Sequence, residues 1–199
     1  MIRGMRAARC LRRLSTVIIP LALVGCSGSN VNPPGRSTAD PTPTTIGAPI
    51  TPVLRCQDSV SGELGADWRR ESVIAGPLAF ARLRRAATER PIRPGGGAGV
   101  YKALAVVEPG RVVTAQVGVE AIGHASLNHG SPDPRREGGR WMVADGTQAI
   151  TFEACPDRPT QFSGHILVDA ARCIPLEVTT KPGALPWRVV ISLGAGECR

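Results

Sequence analysis

Residues 101–119 read YKALAVVEPGRVVTAQVGV, two runs rich in valine and alanine either side of Glu108-Pro109-Gly110. β-Branched residues in short runs, with a Pro-Gly turn between them, are the signature of a hairpin and not of a helix. The same texture recurs along the chain. Thr51–Cys56, Glu71–Ala79, Arg140–Ala144, Gln148–Ala154, Gly164–Val168, Ile174–Thr180 and Arg188–Leu193 alternate or are β-branched, with turn residues between them. Asp145-Gly146, ahead of Ile150–Phe152, predicts a second hairpin. Strands at this spacing without long helical patterns predict an all-β domain over residues 53–199. The expected architecture is an antiparallel β-sandwich or barrel, with the immunoglobulin-like sandwich among its forms.

Composition agrees. Of 199 residues 42% are hydrophobic, enough for a core, yet aromatics are only 4% and there are 23 glycines and 18 prolines. Two segments are less decided. Residues 77–90 (PLAFARLRRAATER) fit either a short helix from Pro77 or a strand ending near Leu83. Residues 91–99 (PIRPGGGAG) predict a flexible loop.

Residues 1–15 are basic, and Val17–Gly25 is an uncharged apolar run. It is far shorter than the roughly 20 residues that span a bilayer as a helix. This is the pattern of a secretory signal peptide, residues 1–25. It ends in Leu23-Val24-Gly25-Cys26, which resembles the lipobox of bacterial lipoproteins. The resemblance implies a diacylglyceryl thioether on Cys26, cleavage just before it, and a palmitate-type lipid anchor on the extracytoplasmic side of the cell membrane. Two acyl chains give stable anchoring where one holds only reversibly. Arg12-Arg13 raises the twin-arginine export route, but Leu14-Ser15-Thr16 lacks its usual bulky apolar pair, which favours the general secretory route.

The formal charge of +8 shrinks under this reading, because Arg3, Arg6, Arg9, Arg12 and Arg13 leave with the signal. With 19 basic and 16 acidic residues remaining, the net is +3, and no nucleic-acid partner is expected. Residues 26–52 contain six prolines among mostly small polar residues and predict a disordered tether. Its reach is about 80 Å as polyproline II and about 30 Å as a flexible coil.

Four cysteines remain for the fold: Cys56, Cys155, Cys173 and Cys198. An even number in an exported domain predicts two disulfides, with three connectivities open. The expected pairs are Cys56–Cys198, closing the domain at its termini, and Cys155–Cys173, linking neighbouring strands. A zinc site would want a C-x-x-C pair, which these positions lack.

The mature chain is similar to a group of uncharacterised secreted proteins and lipoproteins of actinobacteria. The matching fragments include Arg55-Cys56-Gln57-Asp58, Gly76-Pro77-Leu78, Tyr101–Leu104, Val106–Gly110, Phe152–Cys155, Gln161–Gly164 and Cys173–Leu176. The resemblance implies the domain limits and the disulfides, and it supplies no catalytic residue.

Chemistry-bearing residues are sparse, and no cofactor is expected. The three histidines are His124, His129 and His165. His124 and His129 fall in a polar-looking loop, GHASLNHGSPDP, with Asp133 close behind. This set is the one alternative metal site, and with it an envelope enzyme is the alternative function, although loop histidines are more often simply solvated. Arg82, Arg84, Arg85, Arg90 and Arg93 form a basic cluster suited to anionic head groups or wall polymers. Trp141 is expected in the core, and Trp68, beside Asp67 and Arg69, is expected to be exposed. The expectation is therefore a binding or accessory module, not an enzyme, whose partner is a cell-wall polymer or an envelope protein.

Overall fold

The computed structural model of the protein describes residues 50–130 and 139–198. Cys26, the signal, the tether up to residue 49 and Asp133 lie outside them. Twelve strands run through the described residues, and none of these residues is α-helical. The first six are β1 (Val53–Leu54), β2 (Val73–Ala75), β3 (Leu78–Ala81), β4 (Gly99–Lys102), β5 (Leu104–Val107) and β6 (Val112–Val117). β7 (Ala125–His129), β8 (Ala149–Glu153), β9 (Thr160–Phe162), β10 (Gly164–Val168), β11 (Arg172–Thr179) and β12 (Trp187–Leu193) follow.

These strands make three sheets, ordered β1-β8-β6-β11-β12, β4-β10-β7 and β2-β3-β5-β9. All pairs are antiparallel except the short parallel pair of β1 with β8. The expected all-β, antiparallel architecture is present. Its cause is visible in the alternation. Val113, Ala115 and Val117 of β6, Ile150 and Phe152 of β8, and Ile174, Leu176 and Val178 of β11 point into one core, while their neighbours face outward. That core draws on all three sheets. A smaller cluster packs Ala98, Val100 and Leu167 around the fully buried Trp141.

Several turns differ from the sequence expectation, and each difference has a tertiary cause. Glu108-Pro109-Gly110 does turn the chain, with the Arg111 amide donating to Glu108 O at 3.3 Å. It does not close a hairpin, because β5 pairs with β3 and β9 while β6 pairs with β8 and β11. The turn hands the chain from one sheet to another. The run 101–107 is likewise divided at Ala103: Lys102 pairs with His165 in one sheet and Leu104 with Ala81 in another.

The run 71–79 is two strands joined at Gly76-Pro77, so residues 77–90 begin as a strand and not as a helix. They continue as a 3-10 turn over Leu83–Ala87. Arg140–Ala144 forms no strand. The Asp145 carboxylate accepts the Met142 amide at 2.6 Å, which bends Val143–Asp145 into a 3-10 turn and removes the Asp145-Gly146 hairpin. Residues 91–99 are not a free loop: Ile92 bridges Val100, and the Ala98 amide donates to Trp141 O at 2.8 Å.

The disulfide pairing is corrected. Cys56 is bonded to Cys155 and Cys173 to Cys198. Cys56–Cys198 is ruled out by strand order, since β1 and β12 are opposite edges of the five-stranded sheet. At about 4.8 Å per strand these edges stand roughly 19 Å apart. The parallel register Leu54–Phe152 instead sets Cys56 beside Cys155, and the tail after β12 folds back so that Cys198 meets Cys173 at the start of β11.

Gly76, at φ 57°, carries the β2–β3 turn, and the Trp187 ring lies where a Cβ would stand. Gly76→Ala therefore meets both backbone strain and a clash, and should cost about 1–3 kcal/mol in urea unfolding. Adding Trp187→Ala should recover the clash and leave the strain. An unchanged midpoint in the single variant would contradict this packing.

Candidate functional site

A concavity with a volume of about 680 Å³ opens where the four-stranded sheet meets β4. One wall is the turn from Ala81 through Ala86. The floor is Tyr101 of β4 with Gln161 of β9, and the far wall is Val60–Leu64. That far wall is held by two bonds to β9: the Val60 amide donates to Gln161 O at 2.8 Å, and Gln161 Nε2 donates to Gly62 O at 2.7 Å. Trp68 stands at the rim, half-buried, with the Arg69 guanidinium 4.8 Å from its ring centre. The Tyr101 hydroxyl donates to Glu89 O at 3.3 Å, and burial pushes it above its ordinary pKa.

The five arginines of the basic cluster divide here. Arg85 pairs with Glu71, Arg84 Nε donates to Ser72 O at 2.8 Å, and Arg93 donates to Gly97 O and Asp169 O. Arg82 and Arg90 line the cleft with Lys102, and none of the three side chains has an ion-pair or hydrogen-bond partner among the described residues. Arg82 sits at φ 61°, ψ 10°, the one non-glycine residue with positive φ among the described residues. Nothing in the order of residues signals that conformation. Lys102 and Glu63 were also not legible as partners of this site, because they come from segments about twenty residues to either side of Arg82.

The histidines do not converge. Residues 125–129 are strand β7, not a loop, and His124 and His129 lie at its two ends. Five residues of extended chain separate them by about 17 Å and send their side chains to opposite faces. His124 Nδ1 lies 2.6 Å from Asp169 Oδ2, and Asp169 is also 2.8 Å from Arg172. Burial alone would raise the Asp169 carboxyl; the His124 hydrogen bond and the Arg172 charge outweigh it and hold it below its ordinary value. His129 is buried between Phe80 and Phe152, and His165 lies beside Trp141. The histidine pair therefore offers no shared metal position. Among the described residues no group of three His, Cys, Asp or Glu side chains is placed to hold a metal.

Trp141 is in the core as expected, and Trp187 is exposed at 43% over Gly76. No family model, no curated protein and no solved structure matches the chain.

Proposed function

We propose that the protein is a binding module anchored by lipid at the outer face of the cytoplasmic membrane. Its signal ends in the lipobox Leu23-Val24-Gly25-Cys26, and the domain is carried on the tether 26–52. The observation that carries the extracytoplasmic address is the pairing of Cys56, Cys155, Cys173 and Cys198 with one another. Disulfides persist in oxidising compartments, and neither bridge requires Cys26, which stays available for lipid. No helix among the described residues is long and apolar enough to cross a membrane. The cleft supports binding as the activity: three cations without partners among the described residues line it with an indole at its rim.

Cys26→Ala is the test. Wild-type protein grown with labelled palmitate should carry the label and partition into the detergent phase. The variant should lose the label and either stay uncleaved or leave the membrane fraction. Unchanged labelling and partitioning would sink the anchor.

A further inference from the structure

We propose that the cleft binds an anionic saccharide, a sugar unit bearing phosphate or carboxylate groups, through Arg82, Arg90 and Lys102 with Trp68 as stacking platform. This rests on the reading of the protein as a binding module and names the ligand of that module. A volume of about 680 Å³ is within the range of small-ligand sites and suits a few sugar rings.

The charge inside the cleft is the first argument. Arg85 is neutralised by Glu71, but the side chains of Arg82, Arg90 and Lys102 form no ion pair with any described residue. A guanidinium presents a planar fork that matches phosphate and carboxylate bidentately, and it gains most where a ligand supplies the missing charge.

The second argument is the backbone of Arg82. A left-handed conformation suits glycine and is strained for arginine. Strain of this kind persists where the side chain is needed, and the Arg82 guanidinium reaches across the cleft toward the turn at Gly65.

The third concerns what else the ligand must carry. Glu63 and Glu89 line the same cleft as the cations. A bare polyphosphate would be repelled by them, whereas sugar hydroxyls donate to carboxylates and sugar faces stack on indoles. The mixture of cations, carboxylates and Trp68 thus fits a hydroxyl-rich anion better than a lipid tail or a simple ion.

The experiment uses the mature lipidated protein purified in detergent. Binding is measured by calorimetry against a galacturonate tetrasaccharide, glucose 6-phosphate and the neutral maltotetraose, and by sedimentation with vesicles rich in phosphatidylglycerol. The expected result is binding of one or both anionic sugars that weakens at high salt, with no binding of maltotetraose. Arg82→Gly should weaken that binding at least tenfold while leaving the melting temperature equal or higher, because the glycine relieves the strained backbone. Arg90→Gln with Lys102→Gln should do the same without altering the fold. The proposal is overturned if neither anionic sugar binds, if these variants bind as wild type, or if only the vesicles are bound. Isolated cell-wall fragments separate the two levels. Fragments retained equally by wild type and Arg82→Gly leave the binding module standing and remove the cleft assignment; fragments and sugars both ignored remove both.

Discussion

Replacing Cys56 and Cys155 together by alanine should destabilise the domain by up to about 5 kcal/mol, and replacing Cys173 and Cys198 by about 3.5 kcal/mol. The ordering follows from sequence separations of 99 and 25, because the longer loop removes more freedom from the unfolded chain. A domain of this size has roughly 5–15 kcal/mol to lose, so the first double variant should approach marginal stability and the four-fold variant should fail to fold at 37 °C. Urea midpoints under non-reducing conditions measure both. The pairing itself is read by tryptic mapping without reductant. Cleavage after Arg55, Arg69, Arg140 and Arg172 should leave residues 56–69 linked to 141–172, and residues 173–188 linked to 189–199. A link from 56–69 to the C-terminal peptide would restore the connectivity that strand order rejects.

Acid should destabilise the protein through one buried imidazole. The His129 ring packs 5.3 Å from Phe152 and 6.2 Å from Phe80, and both ring nitrogens are buried. There is room for it because residue 164, opposite on β10, is glycine; a Cβ there would enter the ring. Burial is the main cause that lowers its pKa from 6.5 to about 3; the Ala103 backbone opposes the shift and nearby His165 adds to it. The unfolded chain then takes up a proton near pH 6.5 while the folded chain does not until near pH 3. The stability is therefore complete above pH 6.5 and is lost as pH falls between those values, by about 1.4 kcal/mol per unit. Between pH 6.5 and 4.5 the loss from this residue is about 2.3 kcal/mol. His129→Phe keeps an aromatic ring and removes the proton site, so its urea midpoint should fall less over that interval. Parallel pH profiles for the two proteins would remove His129 as the cause.

Three strands were legible from their alternation, and β7 and the short β9 were missed. β6, β8 and β11 bury every second residue, so their valines, isoleucines and leucines announce one inward face. β7 reads ASLNH and is buried at all five positions. Two of its polar side chains reach a segment far along the chain: Ser126 Oγ donates to Val143 O at 2.6 Å and Asn128 Nδ2 to Asp145 O at 3.0 Å. No window around residue 126 contains those acceptors. The cleft was legible in fragments, with Arg82 and Arg90 in a basic cluster and Trp68 marked for the surface. Which cations stay unpaired depended on Glu71 and Ser72, residues on the other strand of the β2–β3 hairpin or just before it.

Local chemistry was enough for what depends on neighbours in the chain: the β-branched strands, the turn at Glu108-Pro109-Gly110 and the even number of domain cysteines. Partnership was a different matter, because backbone hydrogen bonds carry no sequence label and any strand edge can accept any other. Strand order arises only when the three sheets close over one core. It then decides that the turn after β5 changes sheets, that Cys56 meets Cys155, and that Arg82 and Lys102 line one cleft.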